Sequence, residues 1–190
     1  ALNTGSVKGL TVNSLAAFGS DQVAALGDDA SGLSTSQLAV LTTANVVGLT
    51  SGAIGAMGSG QVAALGTTVD ELGTAHFAAM TTASVKGITA AAVTAMSSSQ
   101  AAALGTDATA LLTAQLAALT SANIVGLTTA TVAALSSDQL IALGADAAAF
   151  GTGNLAAMTT LNIKGLSTAA IAAMTSAQVS ALGTDVSAFT

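Results

Sequence analysis

The sequence predicts an all-α solenoid, a superhelix of short helices on a 39-residue repeat. Three observations lead there. First, TTANVVGLT (Thr42–Thr50) returns as TTASVKGIT from Thr81, TSANIVGLT from Thr120 and TTLNIKGLS from Thr159. A degenerate copy, NTGSVKGLT, starts at Asn3, and each start follows the last by 39 residues. Second, apolar residues come in pairs three apart, with Ser, Thr, Gly, Asn or Gln ahead of each pair. Third, charged residues are 6% and aromatics 2%, while Pro and Cys are absent. An ordinary globular domain carries about 25% charged residues.

With the frame set at Ser34, full copies cover 34–72, 73–111, 112–150 and 151–189, and residues 1–33 form a partial copy. All are expected to belong to one continuous solenoid. The array starts and stops in mid-pattern, so the sequence reads as a window cut from a longer array. The copy 112–150 divides as LTAQLAAL, TSANIVGL, TTATVAAL, SSDQLIAL and GADAAAF, four octads and a heptad, 8+8+8+8+7. Its pairs are Leu116/Leu119, Ile124/Leu127, Val132/Leu135, Leu140/Leu143 and Ala147/Phe150.

One long helix cannot carry this pattern. At about 100° per residue, pairs repeated every eight positions wrap around the cylinder and leave no stripe to bury. A β-solenoid is the alternative. Residues three apart face opposite sides of a strand, so a one-sided β core would need corners to rescue it. Helices of about two turns fit directly, because an i, i+3 pair shares one face. SSDQLIAL from Ser136 and TSAQVSAL from Thr175 have capping-box spacing: the hydroxyl takes the amide three residues on, and Gln reaches back. Such helices cannot stand alone in water, so packing must hold them. At roughly 10 Å each, five would close one coil per copy, about five coils in all, stacked about 8–10 Å apart. The half-width would be roughly 7–8 Å, filled by Leu, Val, Met and Phe.

Residues 39 apart would then stack in columns. Leu26, Leu65, Leu104, Leu143 and Leu182 are expected to point inward. Gln22, Gln61, Gln100, Gln139 and Gln178 form an unbroken column, read as a structural ladder in which each Gln caps its helix and bonds its neighbour above. Asp29, Asp107, Asp146 and Asp185, interrupted by Thr68, resemble a calcium ladder only at a glance. Calcium takes six to eight oxygens, and one carboxylate per coil does not supply them. Each Asp falls where a helix dipole favours it. No metal or cofactor is expected. Lys8, Lys86 and Lys164 recur every 78 residues, with Val47 and Val125 at the same place in the intervening copies. That alternation fits duplication of a two-copy unit. His76, the one histidine, replaces Gln37, Gln115 and Asn154 of other copies and reads as a polar substitute.

The net charge is −6 with three Lys and no Arg, which leaves no basic patch for nucleic acid. Mean hydropathy is +0.75, yet polar residues break every apolar run well short of the roughly 18 a span requires. No membrane insertion is expected. Residues 1–10, ALNTGSVKGL, lack the blocks of a secretory signal. Acid/base pairs, activated nucleophiles and phosphate-cradling loops are missing from the pattern, so no enzyme is expected.

The phrases QLAALT, NIVGLT and QVAALG resemble the Ala/Thr/Leu-rich tandem repeats of giant bacterial surface and secreted proteins, such as adhesins with repetitive stalks. That resemblance spans the chain. It implies an extracellular or bacterial cell-surface location and a rigid rod or filament, made by neighbouring repeats of a longer chain or by self-association. An ice- or glycan-binding Thr-rich surface is the alternative function.

Overall fold

A computed structural model describes residues 3–189, and among them there is no strand. Among the described residues, fifteen α-helical segments of four to seven residues are interspersed with nine 3-10 segments. The chain divides into two compact halves between Ala95 and Met96.

Most octads behave as their spacing predicts; octads 3–10, 42–49, 81–88 and 159–166 instead carry three-residue 3-10 turns, Val7–Gly9, Val46–Gly48, Val85–Gly87 and Ile163–Gly165, with no side-chain cap. Thr11, Ser34, Thr50, Ser97, Thr128, Ser136, Ser167 and Thr175 each cap a helix, the hydroxyl accepting the N–H three residues on. Helices Ser51–Ala56, Thr74–Ala79, Thr129–Ala134 and Thr168–Ala173 stop where the chain leaves the α region for extended backbone. Leu135 is extended (φ −62°, ψ 142°), and Ser136 after it is extended too (φ −76°, ψ 164°). Two extended residues thus make the corner between one octad and the next. All five apolar pairs of residues 112–150 are buried, none more than 3% exposed. The column Leu26, Leu65, Leu104, Leu143 and Leu182 is buried throughout, at 3–4%.

The heptad is built differently. Gly27, Gly66, Gly105, Gly144 and Gly183 have φ between 53° and 61°. Gly144, at φ 57° and ψ −133°, holds a conformation that side-chain-bearing residues avoid. It turns the fourth octad into a 3-10 segment, Gly144–Ala149, with no Ser or Thr cap. A 3-10 helix rises about 2.0 Å per residue against 1.5 Å for an α-helix. Seven residues therefore span the same edge as eight.

The coil does not contain five edges. In the N-terminal half, helix Ser51–Ala56 packs on segment Gly27–Gly32 before it and on helix Thr74–Ala79 after it. In the C-terminal half, helix Ser137–Leu143 lies between Thr113–Leu116 and Ile163–Gly165. Within each half a segment packs on the segment three places along. The hydrogen bonds joining consecutive coils span 22 to 30 residues, as in Thr50 to Asp28 and Gln61 to Ser31. The expected coil of one 39-residue copy is therefore corrected to three segments, and with it the tally of five coils and the column stacking. The corner geometry is the cause: two extended residues turn the chain sharply enough for three edges to close. A three-edge ring of roughly 10 Å sides has a half-width of only about 3 Å, so inward pairs from facing edges meet directly.

Five segments per copy and three per coil share no common factor. Each kind of segment must therefore stack on a different kind above and below. That requirement explains why all five obey one apolar rule.

Candidate functional site: amide staples between coils

The polar side chains with the most defined geometry lie at coil-to-coil contacts. In the Gln column, the side-chain Oε1 accepts the N–H three residues earlier: Gly58 to Gln61 (3.1 Å), Ser97 to Gln100 (2.7 Å), Ser136 to Gln139 (2.9 Å) and Thr175 to Gln178 (2.9 Å). This places the amide nitrogen outward, against the coil before. Nε2 of Gln61 donates to the carbonyls of Ser31 (2.7 Å) and Leu33 (2.9 Å). Nε2 of Gln139 donates to Thr109 (2.6 Å) and Leu111 (3.4 Å). Nε2 of Gln178 donates to Ala148 and Phe150, both at 2.8 Å. The expected bond from one Gln to the next is thus replaced by a bond from Gln to backbone. One side chain satisfies a helix N-terminus and two corner carbonyls that a helix cannot reach.

Gln22 caps its helix in the same way, accepting from the Gly19 N–H at 2.8 Å. Its amide nitrogen has no such carbonyl among the described residues, and the side chain is exposed.

Two further columns act as staples, and sequence reading did not assign them that role. Nε2 of Gln37 donates to Leu10 (2.6 Å) and Val7 (3.1 Å), and Nδ2 of Asn154 to Leu127 (2.9 Å). Asn45 reaches Phe18 (3.0 Å), and Asn162 reaches Val132 (3.0 Å). A buried amide three residues after a cap was the available signal. His76 fits this scheme: its Nε2 lies 2.7 Å from the Leu49 carbonyl. A carbonyl only accepts, so Nε2 carries the proton. Nδ1 is left buried without a partner. The imidazole keeps the staple but loses the capping acceptor.

Glycine makes a second contact between coils. A Cβ at Gly48, Gly87, Gly126 or Gly165 would overlap the carbonyl oxygen of Ser20, Ser59, Ser98 or Ser137 in turn. Backbone lies against backbone there.

The Asp residues of the column sit at first turns of 3-10 segments: Asp29, Asp107, Asp146 and Asp185. Asp29 accepts from the Thr4 hydroxyl at 2.7 Å, and Asp28 from Thr50 at 2.6 Å. Among the described residues, no group of three or more His, Asp or Glu gathers as metal ligands would. Lys8, Lys86 and Lys164 are exposed, as are Val47 (46%) and Val125 (52%) at the same place. That position points outward and accepts either chemistry. Among the described residues, no helix is long and apolar enough to cross a membrane.

Short capped helices, packed three segments apart and stapled by amides, define the class: this is an all-α repeat solenoid. Its family follows from the repeat itself. The ALTTAQ repeat matches residues 31–67, 69–106, 109–145 and 147–184, most of the chain, and the chain belongs to that repeat family. No curated protein and no solved structure matches it.

Proposed function

We propose that this structural repeat module gives length and stiffness to a rod or filament of an extracellular or cell-surface protein, and performs no catalysis itself. One observation carries the reading: the amides that could bind a ligand are spent on the fold. Gln61, Gln139 and Gln178 each use both ends of the side chain, on their own helix and on the coil before. A surface of Ala, Ser, Thr and Gly with few charges suits a spacer. An interior of interlocked pairs resists bending, because close-packed cores transmit strain.

The test is electron microscopy of the native protein together with fractionation of the cells that make it. Thin, straight extensions at the cell exterior are expected. A compact native particle, or a protein confined to the cytosol, would overturn the proposal.

A further inference from the structure

Among the described residues, four large apolar side chains are more than half exposed: Leu112 (51%), Val125 (52%), Ile141 (59%) and Leu161 (81%). Val125 stands at the place that lysine holds in alternate copies. The other three break the repeat. Leu112 replaces Ser34, Gly73 and Gly151, Ile141 replaces Ala24, Ala63, Ala102 and Ser180, and Leu161 replaces Gly5, Ala44, Ala83 and Ala122. All of those small residues except half-buried Ala102 are exposed in their own copies. These places turn outward, so the core gains nothing from the larger side chains.

The three are far apart in sequence and at different octad positions, yet the coil brings them to one side. Helix Ser137–Leu143 packs on Thr113–Leu116 before it and on Ile163–Gly165 after it. Leu112, Ile141 and Leu161 therefore ride on three successive segments of that side. No end of the chain causes their exposure, since Ile163–Gly165 is itself followed by Gly183–Phe189, which packs on it. Asp138 and Lys164 are the charged residues of the same three octads, one of each sign, and both are exposed. Beside Leu161 lies a hollow of about 460 Å³, also lined by Ala133, Ala134, Leu135, Ser136 and Ser137.

We propose that this side pairs with the same side of a second copy of the chain. The two copies run antiparallel about a twofold axis between helix Ser137–Leu143 and segment Ile163–Gly165. Leu161 of each copy seats in the hollow of the other, and Asp138 of each meets Lys164 of the other. Charge complementarity fixes the occupant: one residue of each sign on adjacent segments is set against its opposite by that axis, whereas a parallel pairing in register sets like against like. The contact is isologous and closes at two copies. A standard interface takes about 800 Å² from each partner. Three short segments offer less, so the pairing is weak, in the micromolar range. The proposal goes beyond the rod reading, which concerns the shape and place of a single chain.

The experiment is sedimentation equilibrium on residues 1–190 at low salt, over about a hundredfold range of concentration. A monomer–dimer equilibrium is expected for the wild type. Leu161→Ala installs the residue that Ala44, Ala83 and Ala122 supply in other copies, so the helical circular dichroism spectrum should persist while association weakens by about tenfold or more. Asp138→Lys or Lys164→Asp alone sets like charges together and should weaken association by about three- to tenfold; both changes in one chain should restore it. A wild type that stays monomeric throughout overturns the pairing. So does a Leu161→Ala variant that pairs like wild type, or a double charge variant that pairs no better than either single one. Each of these results leaves the rod reading standing, because that depends on the native protein's shape and location.

Discussion

Replacing Gly126 with alanine tests the close approach of coils with a control in the same chain. Gly9 and Gly126 occupy one repeat position, and neither has a positive φ. A Cβ on Gly9 meets nothing within 4 Å. On Gly126 it would overlap the Ser98 carbonyl oxygen and lie 2.7 Å from Ser98 C and 3.0 Å from Ser98 Cα. The obstacle is main chain, so no rotamer change relieves it, and the two coils must part locally. Overpacking of this kind costs about 1–3 kcal/mol, and separation also forfeits part of the surrounding dispersion contact. Gly9→Ala meets no such obstacle. It should be neutral, or stabilise by about 0.4–1 kcal/mol through the unfolded chain. Urea unfolding followed by circular dichroism, with midpoint and slope compared for both variants, reads the difference. Stabilities of the two variants within about 0.5 kcal/mol of each other would refute backbone contact between coils at this glycine.

Other substitutions separate the remaining contributions. Leu104, 3% exposed, should cost about 2–5 kcal/mol as Leu104→Ala, and a change of less than about 0.5 kcal/mol in the unfolding free energy from urea titration would place it outside the core. Gln139→Ala leaves the Thr109 carbonyl and the Ser136 N–H without their partners; the expected loss is about 1–3 kcal/mol in urea unfolding, with faster hydrogen exchange at the Ser136 amide. Gly144→Ala forces a side chain into φ 57°, at about 1–3 kcal/mol, whereas extended Gly58, with open space around its Cβ, should tolerate alanine in the same melting assay. His76→Gln restores the capping acceptor missing at Nδ1; a higher melting temperature than wild type is expected, and a lower one would mean that the ring's packing outweighs the cap.

What the sequence determined is local. A hydroxyl followed three residues later by Gln, and a Leu pair three apart, act within one turn of backbone. They fix short capped helices and the face each one buries, and Ser136–Leu143 folds as its letters imply. The glycine that opens each heptad recurs every 39 positions, but sequence reading gave it no role, and its need emerges only with the positive φ at hand. The tertiary structure alone decided how many segments close a coil. That number depends on the corner angle, set by two extended residues and by segments that meet across 22 to 30 residues of chain, and no local pattern encodes it. It also decided where each amide points. Gln61 and Gln178 look like members of a column, but residues 39 apart do not stack when three segments make a coil. The nearest unsatisfied acceptors are therefore the corner carbonyls of the coil before.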